Sequence, residues 1–175
     1  MPGKTLPPHI RWAVHLRFKG MNTELKVSRE RMVELLNEDL AREFQAIIAY
    51  TVYSQMLKGA AFTTIAGELA IHASEELSHA IQIAGQINYF NGTPITTPRE
   101  VQMSDKSEEM LRFDLENERE TIRNYNDRIQ QAEAMNEFGL GEVLGKIVVQ
   151  EQEHFTDLAN ALGIDNPPIP GTAAQ

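Results

Sequence analysis

Apolar residues recur at intervals of three and four positions along most of the chain, from about residue 28 to residue 162. This spacing places them on one face of an α-helix, so the pattern predicts amphipathic helices rather than strands. Residues that favour turns, chiefly glycine, asparagine and proline, divide the pattern into four segments. The predicted helices cover residues 28–57, 60–90, 105–134 and 140–162.

The ends of these segments carry residues that begin or terminate helices. Ser28 and Ser104 are predicted N-caps, because a serine hydroxyl can accept a hydrogen bond from a free backbone N–H of the first turn. Asn91-Gly92 is predicted to end the second helix, and Gly163 the fourth. The sequence therefore contains a stop signal after each helical hairpin.

The connections between the helices differ in length. The first and last pairs are separated by short turns, whereas residues 91–103 form a long link. We therefore expect an all-α four-helix bundle over residues 28–163, made of two hairpins joined by one long crossover between the second and third helices. A basic N-terminal arm, residues 1–27, and a short proline-rich C-terminal tail, residues 164–175, flank the bundle.

The arm differs from the rest of the chain in its pattern. Apolar and polar residues alternate from Ile10 to Phe18, which favours an extended amphipathic segment. Three interpretations stay open: an arm packed on its own or a neighbouring subunit, a disordered tail or a mis-assigned start with Met21 as the initiator, and an arm that docks nucleic acid or another partner.

Composition excludes several classes of site. The 175 residues are 42% hydrophobic and include no cysteine, which excludes disulfides, thiolate iron–sulfur clusters and Cys-ligated zinc. The net charge of −9 argues against nucleic acid as a partner, apart from a role for the basic arm. Without an apolar run of 18 residues or the usual form of signal peptide, we expect a cytoplasmic protein with no membrane segment.

Two short words of the form E-x-x-H carry the candidate chemistry. They are Glu76-Leu77-Ser78-His79 and Glu151-Gln152-Glu153-His154, and another glutamate lies 33 positions upstream of each, at Glu43 and Glu118. A glutamate and a histidine three apart point to the same side of a helix. A lone E-x-x-H word is a weak signal, typical of ordinary surface helices. The equal spacings and the two matching halves make the pair specific.

The helices that carry Glu43 and Glu118 repeat one motif, D-L-x-x-E-x-x-x-I-x-x-Y, which begins at Asp39 and again at Asp114. Each glutamate thus lies in the middle of an apolar stripe. Burying a carboxylate costs several kcal/mol unless it is paired or bound to metal. Since no lysine or arginine occupies these core-face positions, protons or cations must offset the charge. Two divalent ions would balance four carboxylates and two neutral imidazoles.

With these residues the chain resembles the bacterioferritin branch of the ferritin-like di-iron superfamily over residues 28–163. Gly92-Thr93-Pro94 and residues 108–116 also resemble that family's crossover and third-helix entry. The resemblance implies a ferritin-like four-helix bundle with one Glu from each of two helices and E-x-x-H from the other two. The implied metal ligands, which are also the catalytic set together with Tyr50, are Glu43, Glu76, His79, Glu118, Glu151 and His154.

In that resemblance Glu43 and Glu118 are terminal ligands, and Glu76 and Glu151 bridge two iron ions per subunit, with manganese as an alternative metal. The implied activity is ferroxidase: Fe(II) is oxidised by dioxygen or hydrogen peroxide and ferric product is stored. Tyr50 matches a tyrosine that serves as electron donor. The plainer interpretation of Tyr50 and Tyr125 is a core aromatic with a satisfied hydroxyl.

Two departures from the family pattern matter. The family's haem is ligated by a methionine directly after the second-helix glutamate, and here that residue is Leu77, so no haem is expected there. The family's fifth helix is replaced by the proline-rich tail, which leaves a twelve-subunit shell, a larger cage and a dimer as candidate homo-oligomers. Besides iron storage, the sequence allows a non-storing di-metal peroxidase or oxidase of the rubrerythrin type, or a bundle that binds no metal.

Residues next to the predicted ligands have two interpretations each. His72 is either an accessory ligand or partner of the site, or a buried or interface histidine without a metal role. Asp39 and Asp114 either hydrogen-bond a ligating histidine or are polar residues of the helix face. Glu75 and Glu153 are expected to face solvent or a cage interior.

Overall fold

The computed structural model describes residues 26–169, and these form four α-helices without a strand among them. The helices are α1 (Arg29–Met56), α2 (Thr63–Tyr89), α3 (Ser107–Ala134) and α4 (Phe138–Ala161), with a 3₁₀ turn, Ala60–Phe62, before α2. The prediction of an all-α four-helix bundle is confirmed. No helix within residues 26–169 is long and apolar enough to cross a membrane. The predicted arm lies outside the described residues except for Lys26 and Val27, as does the tail from residue 170.

Helix α1 packs along α2 and α3 packs along α4, which makes the two hairpins predicted from the short turns. The hairpins then meet through contacts of α1 with α3 and of α2 with α4. Three of the helices are followed, two positions after their last residue, by a residue with a left-handed backbone. These residues are Asn91 (φ 62°), Asn136 (φ 61°) and Gly163 (φ 67°). The predicted terminators of α2 and α4 are therefore the observed ones.

The helix starts agree less well with the prediction. Ser28 is the N-cap of α1, and its hydroxyl accepts from the Arg31 N–H at 3.1 Å. The predicted cap Ser104 is wrong, because α3 begins only at Ser107 and the N-cap position is Lys106, which makes no side-chain cap. The Ser104 hydroxyl instead donates to Glu109 and accepts from the Lys106 N–H at 3.1 Å. Ser104 therefore stabilises the end of the crossover and does not cap α3.

The crossover runs along α1 and is fixed to it by hydrogen bonds. Asn37 bonds the backbone of both Thr93 and Ile95, and the Arg99 N–H donates to the Ala41 carbonyl at 3.0 Å. Gly92 lies where a side chain would not fit, because a Cβ there would come within 2.4 Å of Val33. The long link is therefore an ordered strap that fixes where α3 begins.

The core of the bundle consists of two apolar clusters. One contains Leu36, Leu40 and Ile83, and the other contains Leu69 and Leu111, all of them fully buried. On α1, α2 and α4 the predicted ligands lie between these two clusters, and on α3 Glu118 lies between Leu115 and Ile122 of the second cluster. Because the apolar clusters close both ends, the middle of the bundle is a buried polar layer.

Candidate metal centre

The six side chains predicted as ligands meet in this polar layer. Each helix contributes to the group, and none of the six residues is more than 3% exposed. They are Glu43 from α1, Glu76 and His79 from α2, Glu118 from α3, and Glu151 and His154 from α4. Apolar stripes bury these faces, so the helices cannot direct the six polar groups toward solvent.

The six residues form two overlapping groups of potential metal ligands. One ligand atom from each member lies within 4.8 Å of the others. The two groups share Glu76 and Glu151, which are therefore placed to bridge two cations. The groups are Glu43, Glu76, His79 and Glu151, and Glu76, Glu118, Glu151 and His154.

Both histidines direct Nδ1 into the centre. His79 Nδ1 lies 3.0 Å from Glu76 Oε2, 3.2 Å from Glu151 Oε1 and 3.5 Å from Glu43 Oε2. His154 Nδ1 lies 3.0 Å from Glu76 Oε1 and 3.3 Å from Glu151 Oε2. Each imidazole nitrogen thus faces the same two shared carboxylates from opposite sides.

The second nitrogen of each ring, Nε2, contacts a side chain that is not one of the six predicted ligands. His79 Nε2 lies 3.0 Å from Gln150 Oε1, and His154 Nε2 lies 2.9 Å from Glu75 Oε2. The Glu75 side chain is 35% exposed, as expected of a residue facing solvent, but the sequence did not predict that its carboxylate also contacts a ligating histidine. The contacts cross between α2 and α4, so positions within one helix do not reveal them.

The two tyrosines also bond across the bundle. The Tyr50 hydroxyl on α1 donates to Glu118 on α3, and the Tyr125 hydroxyl on α3 donates to Glu43 on α1. Burial raises the pKa of both phenols well above the ordinary value, and the carboxylate that each one faces raises it further. Tyr50 thus touches the predicted centre, and so does Tyr125, whose hydroxyl is satisfied in the same way.

The chemistry of these atoms fits a pair of cations. Several buried oxygen or nitrogen atoms of the centre make no hydrogen bond of good geometry, although some lie within 3.5 Å of an oppositely charged group: Glu43 Oε2, Glu76 Oε1, Glu118 Oε2, both carboxylate oxygens of Glu151, and His154 Nδ1. Leaving such atoms unsatisfied in the core costs free energy. Two divalent ions between the shared carboxylates would bind these atoms, and the oxygen-rich set with one imidazole per ion suits iron or manganese.

Burial and mutual proximity shift the pKa values of the groups in this centre. Burial raises the pKa of Glu43 and of Glu118 well above the ordinary value, and the shared carboxylates raise both further. Burial alone would lower the pKa of His79, yet its contacts with Glu151, Glu43 and Glu76 raise it well above the usual value. Protons and the proposed metal ions would therefore compete for the same buried groups.

Two buried arginines lie near the centre without joining it. Arg128 Nε donates to Asp39 Oδ2 at 3.0 Å, and Arg42 forms an ion pair with Glu120. Asp39 therefore pairs with an arginine. One interpretation of the sequence was that Asp39 hydrogen-bonds a ligating histidine, and the structure does not place it there. Both arginines neutralise acids outside the six-residue group, so the charge of the group itself still requires protons or cations.

His72 lies directly behind His154. It is 4% exposed, its ring stacks on that of His154 with 4.0 Å between centroids, and its Nε2 lies 3.4 Å from Asp157 Oδ2. The corresponding position of α4 is Ile147, which is also buried but apolar. The surroundings of the two histidine ligands are therefore unequal.

Comparison with known proteins agrees with this architecture. Residues 33–165 match the family model described as ferritin-like domain. A bacterioferritin of Mycobacterium leprae is 27% identical over 134 residues, which is 76% of this chain and 84% of that protein.

Two solved structures are also similar. A ferritin-like diiron-carboxylate protein from Bacillus anthracis has a TM-score of 0.74 and 32% identity, covering 78% of this chain and 99% of that one. A dodecameric thioferritin from Bacteroides fragilis, described as a bacterioferritin-related protein, has a TM-score of 0.73 and 25% identity, covering 83% and 93%.

Proposed function

The chain belongs to the ferritin-like domain family as a bacterioferritin-like member, and from that membership we propose that it oxidises Fe(II) at a di-iron centre and stores the ferric product. The observation that carries the proposal is the pair of overlapping ligand groups sharing Glu76 and Glu151. Two equivalent positions held by shared carboxylates are what a reaction needs when each ion supplies one electron to the same oxidant.

In this proposal each ion has one terminal carboxylate and one imidazole. Glu43 and His79 hold the first ion, Glu118 and His154 hold the second, and Glu76 and Glu151 bridge them. The bound ions are the substrate, and dioxygen or hydrogen peroxide is the oxidant. The protein contributes a fixed geometry, exclusion of water, and carboxylates whose protons leave as the metal enters.

Tyr50 is proposed as an electron donor close to the centre. Its hydroxyl donates to Glu118, so a carboxylate is already in place to receive the phenolic proton when the ring gives up an electron. The Tyr125 hydroxyl has the same relation to Glu43. We therefore extend the proposed role to Tyr125, which the motif repeat places in the equivalent position of α3.

Storage requires a closed assembly. We propose a homo-oligomer, because the Bacteroides fragilis relative is described as dodecameric and matches most of this chain. A twelve-subunit shell or a larger cage would allow storage, whereas a dimer, the third candidate, would fit only a protein that does not store iron. The bundle over residues 28–163 is the proposed subunit body, with residues 1–27 and 164–175 as its arm and tail.

The proposal is tested with metal-free protein mixed with Fe(II) in air and followed by stopped-flow absorbance. We expect a fast oxidation phase that saturates at two Fe(II) per chain, one for each ligand group. Glu76→Ala is expected to lose this phase while retaining its helical circular dichroism spectrum. Glu153→Gln, on an exposed position of α4, is the matched control and is expected to behave as the wild type.

Two outcomes would overturn parts of the proposal. If Glu76→Ala still binds two metal ions, the assignment of the centre is wrong. If excess Fe(II) and air leave only a stoichiometric pair of ions in a compact species by size-exclusion chromatography, storage is wrong. Consumption of peroxide faster than deposition of iron would then identify a non-storing peroxidase or oxidase of the rubrerythrin type.

A further inference from the structure

A second cluster of ligand-type side chains lies between the centre and the surface of the bundle. Glu68 and His72 are one turn apart on α2, and Asp157 approaches them from α4. One ligand atom of each residue lies within 4.8 Å of the other two. None of the three residues belongs to the six that form the proposed di-iron centre.

The cluster leads from solvent into the protein. Glu68 and Asp157 line a surface pocket together with Thr64 and Asn160, and the Asp157 side chain is 43% exposed. His72 lies beneath them and is only 4% exposed. A hydrated cation can therefore reach the two carboxylates without any opening of the bundle.

The buried imidazole is the observation that points to a ligand. Nε2 of His72 faces the carboxylate of Asp157 at 3.4 Å without a hydrogen bond and is the nitrogen in reach of a cation there, and Nδ1 is buried without a partner, so neither ring nitrogen is satisfied. An unsatisfied buried nitrogen costs free energy. An apolar residue would avoid this cost, as Ile147 does at the equivalent place on α4.

We propose that Glu68, His72 and Asp157 form an outer binding site for one divalent cation, separate from the two positions of the di-iron centre. Two carboxylates and one imidazole are suitable donors for Fe(II), Mn(II), Co(II) or Zn(II).

The outer site also lies on a path toward the di-iron centre. His72 belongs to a second possible ligand group with Glu75 and His154, so a cation that leaves the outer site next meets residues in contact with the centre. We assign the outer site the role of a loading position for the His154 side of the centre. This role rests on the proposed function, whereas the binding of the cation does not.

Binding is tested with Co(II), which is not oxidised by air under mild conditions and absorbs visible light when ligated. We expect three Co(II) ions per chain for the wild type, one in the outer site and one for each ligand group of the centre. The double variant Glu68→Gln with Asp157→Asn is expected to weaken the third site by more than about tenfold. Because it replaces surface carboxylates, it keeps the test independent of His72→Gln, which could disturb packing.

The controls separate this site from the di-iron centre. Glu76→Ala is expected to lose the inner ions and to retain one Co(II), while Glu153→Gln is expected to bind as the wild type does. The outer site is refuted if Glu76→Ala binds no Co(II), or if the double variant binds the third ion with unchanged affinity. Neither result depends on whether Fe(II) is oxidised.

The loading role is tested by the rate of Fe(II) oxidation at limiting iron. We expect the double variant to slow the fast phase without changing its final amplitude, since the inner ligands are intact. An unchanged rate would overturn the loading role. If the wild type oxidises no Fe(II), the proposed function fails and the loading role fails with it, while the Co(II) stoichiometry still decides the outer site.

Discussion

The two halves of the bundle place the same ligands at positions 75 residues apart but surround them differently. Glu43 corresponds to Glu118, Glu76 to Glu151 and His79 to His154, and the tyrosines Tyr50 and Tyr125 correspond as well. Every one of these side chains is buried in the polar layer. The symmetry thus includes all six ligands of the proposed di-iron centre and the two tyrosines that bond to it.

Beyond those atoms the correspondence ends. Arg128 pairs with Asp39, but the position of α1 equivalent to Arg128 is Tyr53, whose hydroxyl donates to the Gln102 carbonyl, so among the described residues no arginine pairs with Asp114. Glu75 contacts His154, whereas its equivalent Gln150 contacts His79. The side chains behind the ligands thus distinguish two ion positions whose direct ligands are alike. Each difference can be removed by a substitution.

The largest effect is expected from the arginine. In Arg128→Met the buried Asp39 loses its partner, and we expect a loss of about 3–5 kcal/mol in the free energy of unfolding. Asp114→Asn in the other half is the matched variant, and its loss should be much smaller because Asp114 has no cation to lose. Urea unfolding of the metal-free proteins measures both. Equal losses would show that the arginine does not distinguish the halves.

The same variant has a predictable pH dependence. Burial raises the pKa of Asp39 to about 6, and Arg128 keeps it from rising further. A carboxyl group with a raised pKa favours the folded state most when protonated, so its contribution is lost as pH rises through that value. Without Arg128 the pKa of Asp39 would be higher still, so this loss of folding free energy would continue to higher pH. The deficit of Arg128→Met should therefore be greater at about pH 7.5 than at about pH 5.

A smaller effect is expected from the residues behind the histidines. Glu75→Gln gives both ligating imidazoles an amide partner, and we expect metal affinity on the His154 side to fall by about 10–100-fold. The cause is a less basic imidazole once the carboxylate is gone. Stepwise Mn(II) titration by electron paramagnetic resonance measures the two binding steps, with Glu153→Gln as control. Unchanged steps would mean that Glu75 does not tune its histidine.

The tyrosines should confirm that the central layer is symmetric. Tyr50→Phe and Tyr125→Phe each remove a hydroxyl that donates to a buried carboxylate of the opposite hairpin. We expect each variant to lose about 1–2 kcal/mol in the free energy of unfolding. Thermal and urea unfolding provide the comparison. A large loss in one variant with none in the other would contradict the symmetric arrangement.

The smallest effects concern the helix starts. Ser28 caps α1, and Ser28→Ala should reduce the free energy of unfolding by about 1 kcal/mol. Lys106, at the N-cap of α3, has an extended backbone but no capping side chain. Lys106→Ser should therefore raise the free energy of unfolding by about 0.5 kcal/mol. A loss in Lys106→Ser would indicate that the exposed Lys106–Glu109 ion pair matters more than the missing cap.

Much of the fold and the ligand set could be predicted from local sequence. The periodicity of apolar residues predicted the four helices, because a packed helix buries one face and the apolar residues of that face recur at fixed spacing in the sequence. Asn91 and Gly163 marked helix ends because both residues have a left-handed backbone there. The prediction that Ser104 caps α3 was wrong because its hydroxyl accepts from a backbone N–H at the end of the crossover. Serine satisfies free N–H groups in turns as readily as at helix starts.

The contacts behind the ligands could not be predicted in this way. Glu75 meets His154 from another helix, and Arg128 reaches an aspartate 89 positions earlier in the chain. Such pairs depend on how two helices are rotated and offset relative to each other. The unequal pairs Glu75 with Gln150 and His72 with Ile147 were visible in the repeat, but their partners were not.

The sequence alone determined which residues must leave water together. Spacing places four glutamates and two histidines on apolar stripes, and a buried carboxylate requires a counter-charge wherever the helices pack. Only the tertiary structure decided what supplies the remaining contacts: an arginine for Asp39, a carboxylate for one histidine, an amide for the other, and a second cluster around His72. The physical reason is separation along the sequence. Helical periodicity relates residues a few positions apart, whereas these contacts depend on the packing of helices that are distant in sequence.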